Sequence, residues 1–130
     1  MATSLGDVLS ALKNGVIAIN NLASAYSFSL IANSALTTST ATLYTVGSSS
    51  TAYVNDICFC NTTGSAITVN LFLTPINLLA DSSTALFYGF SVAANTTYHW
   101  NGLQVVNSKG TIQASASAPG CTVMISGRTT

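Results

Sequence analysis

Seven side chains of this chain can carry charge near neutral pH: Asp7, Lys13, Asp56, Asp81, His99, Lys109 and Arg128. Acid–base or nucleophilic catalysis needs several such groups converging with matched proton affinities, and here they are scattered singly along the chain. Asp7 sits where a helix would begin. Asp81 sits in Leu79-Ala80-Asp81-Ser82-Ser83, a loop. Asp56 stands between Asn55 and Ile57 in a strand-like run, pointing away from the Ile57 face. There it would meet Lys109, Arg128 or a hydrogen-bond partner at a subunit contact. There is no glycine-rich phosphate loop, no His-rich metal spacing and no nucleophile elbow. The sequence therefore predicts a protein that is not an enzyme, with no catalytic residues and no cofactor.

Thiol chemistry is equally thin. Cys58 and Cys60 lie two apart on one face of a strand, a poor geometry for bridging each other, and Cys121 belongs to another strand. Buried free thiols are the expected state. A zinc site would need His99 as its fourth ligand, a weak signal, and no metal is expected. His99 carries a different interest, because Tyr98 and Trp100 flank it. Aromatic faces bind sugars and proteins alike, so Tyr98, His99 and Trp100 form the candidate partner or ligand surface. The alternative is a strand end whose aromatics pack in the core or at an interface.

These residues need elements to position them, and the composition bounds what those can be. The chain of 130 residues is 48% hydrophobic and only 5% charged, with zero formal net charge. An ordinary soluble domain has about 25% charged residues. No basic stripe exists to neutralise phosphates, so nucleic acid is excluded as a main partner. Polarity rests on 18 Ser and 18 Thr, which suit strand faces and turns. So few charges on a free monomer would favour association, which predicts a subunit covered by neighbours; a secreted protein with a hydroxyl-rich surface is the alternative. Met1-Ala2-Thr3-Ser4 carries no basic leader region, and no apolar run approaches the ~18 residues of a membrane span, so neither export nor a membrane partner is expected.

The organising stretch is Ala52 to Leu73. Tyr53 to Asn61 reads as one strand, Thr62-Thr63-Gly64-Ser65 as a tight loop in which only Gly64 accepts positive φ without steric cost, and Ile67, Val69, Leu71 and Leu73 as the oily face of a second strand. This reads as a hairpin that a second sheet must cover. Before it, Leu5, Leu9, Leu12, Val16, Ile19, Ala23 and Tyr26 follow one another at spacings of 4, 3, 4, 3, 4 and 3, a heptad seam. Ser4 caps this helix, with Asp7 three residues on, and its length is about 33 Å. Val8 and Leu22 widen the stripe, and charge pairs are missing beside it, which favours three or more helices or a helix lying on its own β domain.

Residues 27–40 read as an extended connector that can pair with a neighbour's sheet edge. Beyond the central stretch, a loop over 77–84 leads to Leu86, Tyr88, Phe90 and Val92 with a bulge at Gly89. Ala93-Ala94-Asn95, Asn101-Gly102, Lys109-Gly110 and Pro119-Gly120 read as turns between the remaining strands. About eight short strands with no crossover helix predict an all-β antiparallel sandwich of jelly-roll type over 41–130, preceded by an α-helical arm over 1–26.

Leu43-Tyr44-Thr45-Val46, Val54 to Asn61 with its Asn-Thr-Thr-Gly turn, Ile67 to Leu73 and Cys121 to Gly127 together resemble the small β-sandwich virion proteins of tailed bacteriophages. The likeness covers about residues 41 to 127, and Ala18-Ile19-Asn20-Asn21-Leu22 is similar to the coiled-coil arms of such proteins. It departs from the pattern at Gly47, where Pro-Ala-Gly is common, and at Cys58 and Cys60. The resemblance implies a capsid decoration (cement) protein, head fibre or tail-associated subunit, commonly a homotrimer, with the major capsid protein or another virion subunit as partner. It implies location in the virion, after assembly in a bacterial cytoplasm, and brings no catalytic residues. The first expectation is a decoration protein that stabilises the shell from outside. The second is a fibre or tail tip that reads a cell-surface glycan through Tyr98, His99 and Trp100. In a protein made in bacterial cytoplasm, Asn61-Thr62-Thr63 and Asn95-Thr96-Thr97 are turn asparagines, not glycosylation sites.

Overall fold

The computed structural model of the chain describes residues 4–25 and 27–130, with the side chains of 4–20 and 27–130. Ser4 opens the helix α1 (Leu5–Ala25). Its Oγ accepts the Asp7 backbone N–H at 3.1 Å, satisfying one of the free donors of the first turn. After α1 come eight strands: β1 (Ser29–Ala35), β2 (Ala41–Thr45), β3 (Ala52–Asn61), β4 (Ile67–Thr74), β5 (Ala85–Val92), β6 (Thr96–Val106), β7 (Thr111–Ala116) and β8 (Cys121–Thr129).

The strands form two four-stranded sheets, ordered β1-β8-β3-β6 and β2-β7-β4-β5. First pairs with last, second with seventh, third with sixth and fourth with fifth, all antiparallel. This is one long hairpin wound into two layers, the jelly roll. The inner faces follow from the alternation of apolar residues. Val54, Ile57, Phe59, Val123 and Ile125 of the first sheet are completely buried, as are Val69, Leu71 and Ile112 of the second. Phe59 meets Phe87 of the opposite sheet edge-on, with centroids 5.1 Å apart.

Several expectations are corrected. β3 and β4 are not a hairpin, because they lie in opposite sheets and face each other across the core. Alternation shows that each strand has a buried face, and that condition is met equally by pairing side by side or by stacking. Their loop does not use a left-handed Gly64; positive φ belongs to Gly89 and Gly120 among the glycines. Residues 27–40 are not only a connector. They contain β1, which pairs with β8 of the same chain, so the sandwich begins at Ser29. Asn101-Gly102 does not turn the chain: β6 runs through it, and an extra residue on β6 opposite β3 makes a bulge there. The Gly89 bulge is present on β5, where Gly89 N–H donates to Asn70 Oδ1 at 2.7 Å.

The β3 backbone crowds Gly127 of its neighbour β8. A Cβ added to Gly127 would overlap the Tyr53 carbonyl oxygen, so only glycine fits.

Candidate functional site

The arm carries the largest run of uncovered apolar side chains. Leu5 is 75% exposed, Leu9 57%, Leu12 64%, Val16 48% and Ile19 66%, and their neighbours Val8 and Ile17 are exposed too. The helix therefore does not lay this face on its own sandwich, the alternative that the sequence left open. The Ala23 side chain and Tyr26, the last two seam positions, lie outside the described residues. Full burial of an aliphatic side chain contributes on the order of 1.5–3 kcal/mol. Five such residues in a row, repeating at the coiled-coil period, form an uncovered apolar stripe along one face of the helix.

The second candidate surface is divided by the strand that holds it. On β6 successive side chains point to opposite faces. Tyr98 is opposite Phe59 and Trp100 opposite Ile57, so both turn toward the interior, whereas His99 is opposite Cys58 and turns outward. Tyr98, still 37% exposed at the sheet edge, packs at a tilt against Phe90 with centroids 4.5 Å apart, and Phe87 lies edge-on to both, 6.1 Å from Tyr98 and 5.4 Å from Phe90. These rings close the side of the sandwich between the edge strands β5 and β6. Trp100 is half-buried against the core and covers Gly102.

Outside the first sheet, His99 joins a polar cluster. Its Nε2 lies 2.6 Å from Asp56 Oδ1, and Asn101 Nδ2 donates to the same oxygen at 2.9 Å. Asn101, first in order, and His99 hold the Asp56 carboxyl below the usual carboxylate value. Neither Lys109 nor Arg128 is the partner expected for Asp56. Lys109 is in the turn after β6, and the Arg128 guanidinium lies over the Tyr53 ring, 4.0 Å from its centroid. The rows of the sheet decide this: Arg128 is level with Tyr53, while Asp56 is level with Asn101.

Cys58 and Cys60 share the outer face, but Cys121 is buried inside, so the three sulfurs do not converge. Among the described residues no group of three His, Cys, Asp or Glu side chains is placed to hold a metal ion. Burial, and then the Asp56 charge, push the Cys58 thiol up, away from the thiolate that a nucleophile requires. Two clefts of about 220 and 260 Å³ sit at the sandwich edges, both below the ~300–1,000 Å³ of ordinary ligand pockets. Among the described residues no helix is long and apolar enough to cross a membrane.

One residue that the sequence marks only as a turn asparagine has a large structural role. Asn61, at the end of β3, is buried. Its Nδ2 donates to the carbonyls of Ser65 (2.8 Å), Val92 (3.0 Å) and Ala93 (3.2 Å). Its Oδ1 accepts from Thr63 N–H (2.9 Å) and Thr63 Oγ1 (2.7 Å). One side chain thus ties the β3–β4 loop to the β5–β6 turn. The only cue in the sequence is an asparagine followed by Thr-Thr-Gly, which marks many ordinary turns.

No family model matches the chain, and no curated protein matches its sequence. Among solved structures, a chain of the infectious bursal disease virus particle is 9% identical over 80% of this chain and 31% of that one, with a TM-score of 0.41. The VP2 subviral particle of the same virus gives 12% identity over 78% of this chain and 37% of that one, TM-score 0.31. A Bacillus endospore appendage, described as a disulfide-linked pilus, gives 10% identity over 78% of this chain and 85% of that one, TM-score 0.34. This chain spans about a third of the length of the viral chains it resembles. At these scores the likenesses carry no weight for function, which rests on the chain's own geometry.

Proposed function

We propose that this chain is a non-enzymatic structural subunit of a bacteriophage virion. It self-associates through its arm as a homotrimer and binds the outside of the capsid as a decoration (cement) protein. The observation that carries this reading is the exposed seam of Leu5, Leu9, Leu12, Val16 and Ile19 on a helix that leaves its own sandwich uncovered. The 5% charged composition and the hydroxyl-rich outer sheet faces support it, since such surfaces suit close contact with neighbours. In this reading the arm knits three copies together, and the sandwiches add contact area between capsid subunits that resists internal pressure. The partners are further copies of the chain and the major capsid protein or another virion subunit, with no nucleic acid, membrane or cofactor required. A glycan-reading fibre tip would need Tyr98, His99 and Trp100 on one surface, and β6 distributes them over two.

The test compares the native mass of the full chain by light scattering with that of a chain lacking residues 1–26, and both for binding to undecorated capsids by co-sedimentation. The expected result is a trimer that falls to monomer, with loss of capsid binding. A shortened chain that still assembles and decorates normally would remove the role given to the arm.

A further inference from the structure

The loop over residues 75–84 exposes three large apolar side chains: Ile76 (47% exposed), Leu78 (57%) and Leu79 (78%). Its own polar groups are satisfied internally. Leu78 N–H donates to the Pro75 carbonyl, Ser83 N–H and Oγ to Asp81 Oδ1, and Thr84 Oγ1 to the Leu79 carbonyl. An ordered loop presents its apolar tips at lower entropic cost than a mobile one.

The registers place this loop at the end of the sandwich that receives the arm. Ser29, the first residue of β1, is level with Gly127; Thr129 is level with Ala52, and Ala52 with Val106. The turn after Val106 leads to Thr111, which is level with Thr74, where the loop begins. The link between Ala25 of α1 and Ser29 of β1 is residues 26–28, a reach of at most about 14 Å. In the second sheet β4 is two places from β2, the edge strand beside β1, or about 10 Å at ~4.8 Å per strand. With β1 and β2 also separated by the ~10 Å between the two layers, the loop lies about 14 Å from the start of β1, a distance that the extended link can span.

Three identical arms related by a closed threefold rotation run parallel, so they gather the three receiving ends of the sandwiches around one axis. We propose that the 75–84 loop is a second self-association surface: Ile76, Leu78 and Leu79 of each copy pack on the same loop of its neighbours around that axis. This rests on the arm reading above. The occupant is a further copy of this chain, because the short link brings the loop's own counterparts nearest to it.

The full chain with Cys58→Ser and Cys60→Ser provides the background for the test. Leu79→Cys in that background is treated with a short bismaleimide, beside Ala66→Cys in the loop at the opposite end. The expected result is covalent dimers with Leu79→Cys, the largest product that one exposed thiol per chain allows because Cys121 is buried, and none with Ala66→Cys. In parallel, Ile76→Ser/Leu78→Ser/Leu79→Ser raises the concentration at which the oligomer dissociates by about tenfold or more. An oligomer of native mass that does not cross-link at residue 79 and dissociates at an unchanged concentration in the triple variant overturns the loop's role and leaves the arm's intact. A full chain that is monomeric overturns both.

Discussion

Replacing Asn61 with Ala removes a side chain that closes one end of the jelly roll. Five hydrogen bonds disappear, three donated by Nδ2 and two accepted by Oδ1. The amide has two hydrogens for three carbonyls, so one donation is shared, and about four independent bonds are lost. At about 0.5–1.5 kcal/mol net for each, with the bond to the Val92 carbonyl buried, the loss is about 3–5 kcal/mol. The Ser65 carbonyl keeps a donor in Thr63 Oγ1 and adds little. Against a domain stability of about 5–15 kcal/mol this is a large fraction. It corresponds to a fall in Tm of about 12–20 °C at this chain length. Urea unfolding followed by circular dichroism measures it directly, with Asn95→Ala as the comparison. Asn95 has φ of 52°, so its replacement costs about 1–2 kcal/mol for a left-handed backbone alone. A loss below about 1 kcal/mol for Asn61→Ala would show that water substitutes for the amide and would refute its assignment as the tie between the two loops.

Three further outcomes are expected. Gly127→Ala forces a Cβ into the Tyr53 carbonyl and should lower stability by about 3 kcal/mol or more, read by thermal unfolding, because backbone must move. Trp100→Ala removes a half-buried indole from the core margin and should cost about 2–3 kcal/mol; an unchanged Tm would mean that the ring is not a packing residue. The hydrogen bonds from Asn101 and His99 lower the proton affinity of Asp56 in the folded state below the ordinary carboxylate value of 3.8. Its contribution is therefore present above that value and is lost as pH falls through the lower folded pKa. Asp56→Asn should flatten the acid limb of the stability curve below about pH 4 and leave its neutral side shallow; equal acid sensitivity in both proteins would contradict the His99 and Asn101 contacts.

Local chemistry was legible in the residues themselves. The helix from Leu5 onward, its Ser4 cap and the Gly89 bulge each depend on a few consecutive positions, and each stands in the structure. The alternation of β4 and β8 declared their buried faces for the same reason: a strand's period of two is a property of the chain alone. β1 was harder to read, since Ser29-Leu30-Ile31-Ala32-Asn33-Ser34-Ala35 buries only Ala32 deeply and gains its partner from β8, far along the chain. The separation of His99 from Tyr98 and Trp100 follows from the same alternation, yet whether those rings face a ligand or the core depended on Phe87 and Phe90 arriving from β5.

Pairing, by contrast, was decided by the tertiary structure. An apolar face states that a strand must be covered and leaves open whether the cover lies beside it or across from it. β3 and β4 took the second solution because the chain closes as one wound hairpin, in which consecutive strands share a sheet only at the β4–β5 tip. The importance of Asn61 arose the same way: its five bonds exist because two distant turns meet at the end of β3, and no local pattern encodes that meeting.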